Sequence, residues 1–247
     1  MCHAFSRTEL LIGKDGLERL KNSRVAVFGV GGVGSFTVEA LARSGLGSFV
    51  LVDRDVVELS NLNRQLHATS QTIGRPKVDL MKERILSINP SAQVTSYQSF
   101  YRAENADEMI KDDYDYVVDA IDTISAKIDL AVRCQARGIP IIACMGAGNK
   151  LDPTSFRVAD IYKTSVDPIA RVMRHELRKR GVKSLKVVYS TETPIKPDPL
   201  MVEGQAALDS QSSSIKKRAT PASIAFVPSV AGLILAGEVI KDIIGLT

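Results

Sequence analysis

Hydrophobic positions along this chain follow two alternating rhythms. Short, continuous apolar runs rich in Val and Ile occupy residues 25–30, 49–53, 94–97, 116–120 and 139–144, the signature of strands. Between them, residues 33–44, 76–88, 104–111 and 124–137 repeat their apolar positions at helical spacing. Pro76 suits a first helical position, where a missing N–H costs nothing. Strands that do not alternate with polar residues are expected when helices cover both faces of a parallel sheet. The pattern predicts an α/β fold, a doubly wound Rossmann-like and mostly parallel sheet.

The flanks are less regular. Residues 1–23 read as an N-terminal helical arm, in which Leu10, Leu11, Leu17 and Leu20 form an apolar stripe broken at Ile12-Gly13. Beyond Gly146 the rhythm weakens. Short strands are expected within 150–162, a helix over 168–180, a strand over 185–190 and an apolar helix over 227–244 with Pro228 near its start. Residues 191–220 carry Pro194, Pro197, Pro199 and Gly204 with little periodicity, a long lid-like loop. This gives a helical arm (1–23), a nucleotide-binding domain (24–150) and a C-terminal extension (151–247) that faces the substrate and ends in a helix packed on the core.

Composition narrows the class. The chain has 247 residues, a formal charge of +4 and 45% apolar residues, an ordinary globular balance with a slight bias towards anionic partners. Its three cysteines, Cys2, Cys134 and Cys144, cannot build a disulfide framework or paired C-x-x-C knuckles, so no structural zinc is expected. The stretch 226–237 is interrupted by Pro228 and falls short of the ~20 apolar residues needed to span a bilayer. A cytoplasmic protein without a membrane partner is the expectation.

The chemistry begins after the first apolar run. Gly29, Gly31 and Gly34 give G-x-G-x-x-G, with Gly32 inside it, at a strand-to-helix turn. There the backbone can approach a phosphate at a helix N-terminus. Asp53 follows the next apolar run, 19 residues after Gly34 (53 − 34), where a carboxylate suits a ribose hydroxyl pair. To this point a nicotinamide-dependent oxidoreductase and an ATP enzyme fit equally. The residues that follow favour a triphosphate: after Asp55, the set Asn61, Asn63, Arg64, Gln65 and Lys77 supplies cations and amides that a dehydrogenase does not need. No G-x-x-x-x-G-K-[ST] loop occurs, which excludes a P-loop NTPase.

Asp119 and Asp122 end the fourth run at the sheet edge where such folds bind ligands. Asp122 is the candidate Mg²⁺ ligand, whereas Asp119 could cap the next helix. Together these residues describe an adenylation site. Arg75, His67 and His175 read as surface residues, and Cys134 and Cys144 as core thiols.

The set Gly29, Gly31, Gly32, Gly34, Asp53, Asp55, Asn61, Asn63, Arg64, Gln65, Lys77 and Asp122 resembles the ThiF/MoeB/HesA adenylation family, relatives of ubiquitin-activating enzymes. The resemblance implies that Asp53 binds ribose, that Asn61, Arg64 and Lys77 serve the phosphates, and that Asp122 coordinates Mg²⁺. It also implies a homodimer in which Arg7 reaches the partner's site. The zinc cysteines of that family are absent here.

A second set, Met145–Thr154, Ala159-Asp160-Ile161, Lys163-Thr164, Asp167-Pro168 and Phe226-Val227-Pro228, resembles a branch that dehydrates threonylcarbamoyladenosine in tRNA. That branch implies ATP-dependent adenylation of the threonine carboxylate, ring closure, a tRNA partner and cooperation with a cysteine desulfurase system. Activation of a ubiquitin-like sulfur carrier and NAD(P)-dependent oxidation remain the alternatives. For tRNA, Arg171, Arg174 and Arg178 share a helical face, and Lys216, Lys217 and Arg218 lie in the long loop.

Overall fold

The structure, a computed structural model, describes residues 3–198 and 221–246. Its centre is a seven-stranded sheet in the order β3-β2-β1-β4-β5-β7-β6. The strands are β1 (Arg24–Phe28), β2 (Ser48–Val52), β3 (Gln93–Tyr97), β4 (Tyr116–Asp119), β5 (Ile141–Cys144), β6 (Phe156–Asp160) and β7 (Lys186–Ser190). Every pairing is parallel except β6 with β7. The order reverses between β1 and β4, and the crevice beyond their carboxyl ends is the position where open α/β sheets bind ligands.

The strands are shorter than the apolar runs for identifiable reasons. Val30, Asp53 and Ala120 lie past the ladder, already in the loops that carry chemistry. At the other end, Pro140 has no N–H to donate, and β5 begins at the next residue. The continuous apolar runs are buried on both faces. Val25, Val27 and Val118 join a core with α2 (Gly34–Arg43), α3 (Lys77–Ile88) and the closing helix α7 (Phe226–Ile244). Ala26, Phe28 and Val117 face α4 (Ala106–Met109) and α5 (Ile124–Arg137). Past β5, Ala143, Met145 and Val187 pack on α6 (Pro168–Lys179). The last two strands in the chain, β6 and β7, therefore extend the same sheet.

Several expectations require correction. The helix expected over 104–111 is the single turn α4, because Ile110 adopts an extended conformation that buries its side chain completely. Pro76 stands one position before α3, at the N-cap with ψ 132°, and not inside its first turn. In α1 (Ser6–Asn22) the break expected at Ile12-Gly13 is present, at Gly13, whose φ of 75° interrupts the helix. Leu20 is buried beneath it, but Leu10 and Leu11 are 88% and 85% exposed, so the expected stripe does not fold onto this chain's own core. Most of the segment expected as a lid-like loop lies outside the described residues.

Close backbone packing fixes the site's floor and wall. A Cβ on Gly34 would lie 1.9 Å from the Gly29 carbonyl oxygen, and one on Gly29 would lie 2.6 Å from that of Ala120. Gly232 of α7 presses equally closely on the Val33 carbonyl, which seats the closing helix against the start of α2.

Candidate active site

The glycine loop runs from the end of β1 into α2, and the segments named from sequence converge on it. Asp53, just past β2, accepts the Val30 N–H on Oδ2 at 2.7 Å and the Asp55 N–H on Oδ1 at 2.9 Å. Each carboxylate oxygen has a second lone pair, so a ribose hydroxyl could still be accepted there. Burial raises the Asp53 carboxyl above its ordinary range, and the nearby Lys77 charge opposes that rise.

Arg64 and Gln65 come from the turn after the 3-10 helix Leu59–Asn61. The Arg64 Cγ lies 3.4 Å from where a Gly32 Cβ would stand, and Gln65 Nε2 lies 3.8 Å from the corresponding point on Gly31. Leu66 donates its N–H to Ser35 Oγ at 3.3 Å, which ties this turn to the first turn of α2. Pro228 of α7 closes the other side, its Cβ 3.3 Å from the Gly32 position.

Arg64 donates to the Ser60 carbonyl and to Asn63 Oδ1, both at 2.9 Å. Burial lowers the pKa of its guanidinium, as expected of a partly desolvated charge with no carboxylate bonded to it among the described residues. An anion placed above the glycine loop would compensate that cost. Lys77 opens α3 with its side chain almost fully buried and its Nζ 3.0 Å from Asp55 Oδ2. Asn61 is used locally: its Oδ1 accepts the Glu58 N–H at 3.2 Å. Arg75 is half-exposed and paired with Glu83.

The two carboxylates after β4 have separate fates. Asp119 is fully buried against Lys127 at 3.0 Å and accepts the Ile121 N–H at 3.1 Å, so it does not cap α5, whose N-cap is Thr123. Asp122 is exposed, with Oδ1 accepting the Thr123 hydroxyl at 3.2 Å. One free-standing carboxylate beside a phosphate cradle is a donor set that suits Mg²⁺, which takes few protein ligands and completes its shell with phosphate and water. Among the described residues no cluster of three or more His, Cys, Asp or Glu side chains is arranged to hold a metal by itself.

Residues that sequence reasoning missed surround this core. His67, expected at the surface, is only 8% exposed. Burial first, and the Lys77 charge second, push its pKa down to about 4. Lys127 appears in no motif, yet it neutralises Asp119. Asn149 adopts φ 58°, an uncommon conformation for a residue other than glycine. Its Oδ1 accepts the Ala222 N–H at 2.8 Å and its carbonyl accepts the Ile195 N–H at 2.8 Å. Asn63 donates to the Ser223 carbonyl at 3.0 Å. The chain entering α7 is thus fastened to both motif segments. Burial pushes the Cys134 and Cys144 thiols up to about 12, which leaves them as packing residues without thiolate character.

The three arginines of α6 do not act alike. Arg174 is half-buried and donates to the Thr164 carbonyl at 3.1 Å and to the Thr164 hydroxyl. Arg178 lies over the Tyr162 ring, 5.1 Å from its centroid. Arg171 is exposed. Lys216, Lys217 and Arg218 lie outside the described residues. Arg7 is exposed on α1. Among the described residues no helix is long and apolar enough to cross a membrane.

This glycine loop, with its cations and its site at the β1/β4 switch, is the arrangement of the ThiF adenylation fold. The ThiF family model matches residues 5–247, and the chain belongs to that family. It is 52% identical over 246 residues to the tRNA threonylcarbamoyladenosine dehydratase of Bacillus subtilis (strain 168), covering 99% of this chain and 96% of the relative. The Escherichia coli (strain K12) sulfur carrier protein ThiS adenylyltransferase is 34% identical over 146 residues, 58% of each chain. In structure, the chain superposes on E. coli tRNA N6-threonylcarbamoyladenosine dehydratase, TcdA, in complex with ATP. The TM-score is 0.86 at 31% identity, covering 98% of this chain and 94% of that one.

Proposed function

We propose that this chain is an ATP-dependent adenylating enzyme that dehydrates threonylcarbamoyladenosine in tRNA. The observation that carries the reading is the extent of likeness. Similarity to the dehydratase runs through the whole chain, including β6, α6 and α7, whereas similarity to the sulfur-carrier enzyme covers little more than half of it. Likeness over the full length favours the dehydratase's substrate over a sulfur carrier.

The site supports a definite division of labour. Asp53 and the glycine loop hold the ribose and α-phosphate end of ATP. Arg64, Lys77 and Gln65, with Asn61 supporting their turn, hold the β- and γ-phosphates, and Asp55 releases Lys77 to them. Asp122 would hold Mg²⁺, which supplies charge neutralisation on the departing pyrophosphate. The threonine carboxylate attacks the α-phosphorus and pyrophosphate leaves. A neighbouring carbamoyl oxygen or nitrogen then attacks the activated carbonyl carbon and AMP leaves, carrying the oxygen lost as water overall. The second attack is intramolecular and needs no protein nucleophile, in keeping with the buried neutral thiols. Preorganised cations do most of the work.

A homodimer is supported by Leu10 and Leu11, exposed on the same arm as Arg7, which would let Arg7 enter the partner's site. Arg171 and Arg178, with the loop residues Lys217 and Arg218, would position the tRNA backbone, and a cysteine desulfurase system is the expected cooperating partner. Such a protein works in the cytoplasm.

One assay tests the whole reading. The protein is incubated with ATP, Mg²⁺ and tRNA, the tRNA is digested to nucleosides, and the threonylcarbamoyl nucleoside should lose one water with AMP formed in equal amount. An unchanged nucleoside mass, together with adenylation of a sulfur-carrier C-terminus, would replace this reading with the alternative.

A further inference from the structure

Unpartnered polar atoms gather on one short turn of this molecule. Among the described residues five buried side-chain atoms have no hydrogen-bond partner, and three of them belong to Gln65 (Oε1) and His67 (both ring nitrogens). The backbone of the same turn is well held. Gln65 donates its N–H to the Asn61 carbonyl at 3.0 Å, Leu66 to Ser35 Oγ, and Thr72 Oγ1 donates to the His67 carbonyl at 2.8 Å. The backbone of the turn is therefore fixed, while these three buried side-chain atoms have no hydrogen-bond partner.

Buried polar groups almost always have partners, and an imidazole used for packing alone would be better replaced by an apolar ring. The turn also has a direction. Gln65 faces Gly31 of the glycine loop, Arg64 covers Gly32, and the buried Lys77 lies close enough to act electrostatically on His67. A ligand on the glycine loop meets the Arg64–Gln65 end of this turn, and His67 follows two residues further along it.

We propose that His67 is a phosphate-binding residue of the ATP site, donating one ring N–H to a β- or γ-phosphate oxygen while its other ring nitrogen accepts from the Lys77 ammonium. The proposal rests on the adenylation reading above and adds a residue to it. It accounts for both orphaned nitrogens at once. A neutral imidazole offers one donor and one acceptor, and the depressed pKa of His67 keeps it neutral at physiological pH. Bridging an anion and a cation is what such a ring can do without taking a charge itself.

The test compares two nucleotides on the full chain by isothermal titration. His67→Phe keeps the ring volume and removes both nitrogens. ATP affinity should fall about tenfold or more, the loss expected for a hydrogen bond to a charged group. AMP affinity should stay at the wild-type value, because AMP lacks the phosphates concerned. His67→Gln, which retains a donor and an acceptor, should recover part of the ATP affinity. If the Phe variant does not fold, His67→Leu is read by the same ratio. Equal ATP and AMP affinities to wild type, or an equal loss of both, would overturn the proposal and return His67 to packing. A wild-type chain that binds neither nucleotide would overturn the adenylation reading itself, and this proposal with it.

Discussion

Asp119 and Lys127 form an ion pair at 3.0 Å with neither side chain reaching solvent. The pair sits where β4 meets the glycine loop, so Asp119 is a structural charge and the exposed Asp122 is left as the carboxylate proposed to face the ligand. Removing one member of a buried pair strands the other, which typically costs about 3–5 kcal/mol, whereas replacing both by apolar residues can be neutral. Lys127→Met should therefore destabilise the fold by that amount in urea denaturation. Asp119→Leu added to Lys127→Met should recover most of it. A Lys127→Met variant within about 0.5 kcal/mol of wild type, the range of an inert surface change, would show that the pair carries no such cost.

The glycines divide into those the fold needs and one, Gly31, that only the proposed phosphate contact needs. Gly34→Ala would drive a methyl to 1.9 Å from a backbone oxygen, and overpacking of this kind costs about 1–3 kcal/mol or more. Gly31 has an ordinary negative or extended φ and nothing nearer than 3.8 Å, the far end of Gln65. Gly31→Ala should melt like wild type yet bind ATP at least about tenfold more weakly, since the methyl occupies the space of a close phosphate approach. A melting curve and an ATP titration on both variants decide the matter. Undiminished ATP binding by Gly31→Ala would place the phosphates elsewhere.

Much of this was legible in the chain because local chemistry and tertiary position coincide there. The glycine loop needs glycine for backbone reasons alone, and buried parallel strands announce themselves as unbroken apolar runs. What was hidden depended on how neighbouring segments fold onto one another, which no short pattern records. Nothing near His67 says that it is covered, and Lys127 reads as one more surface lysine on α5 until Asp119 is placed beside it. Arg174 shares a helical face with Arg171 and Arg178, but periodicity does not reveal that Thr164 claims its guanidinium. Leu10 and Leu11 have the spacing of a core stripe, and only the fold shows that this chain's own core does not receive them.

Arg64 and Lys77 are the cations assigned to the β- and γ-phosphates. Removal of one preorganised charge-stabilising group typically lowers a rate by about 100-fold or more. Arg64→Ala and Lys77→Met, the latter retaining the buried stem, should each lower AMP formation by that order. Folding should survive in both, as judged by far-ultraviolet circular dichroism. Full activity in both variants would remove this corner of the site from catalysis.

On α6 the exposed and tethered arginines should separate in two assays. Arg171→Ala should weaken tRNA binding without altering the melting temperature. Arg174→Ala should lower stability by about 1 kcal/mol, because it leaves buried acceptors on Thr164. Replacing Arg171 and Arg178 together should flatten the dependence of log affinity on log salt by about 0.9 or less for each phosphate no longer neutralised. An unchanged slope would make this helix a solvated face.

His67 also makes a prediction about acid stability. Its pKa is about 4 in the folded chain against an ordinary value of 6.5, so between those two pH values the unfolded chain binds the extra proton. Stability therefore falls as pH drops from 6.5 towards 4, by at most about 3 kcal/mol at 1.36 kcal/mol per unit. Asp53 and Asp119 act in the opposite sense. Burial raises their carboxyl pKa values, so the folded chain holds their protons more tightly and their contribution improves as pH falls. The difference between wild type and His67→Phe removes those shared contributions. Urea midpoints at pH 7 and pH 5 should show the wild type losing more stability than the variant across that interval. Equal losses in the two proteins would mean that His67 takes up its proton alike in the folded and the unfolded chain, which a ring buried beside the Lys77 charge would not do.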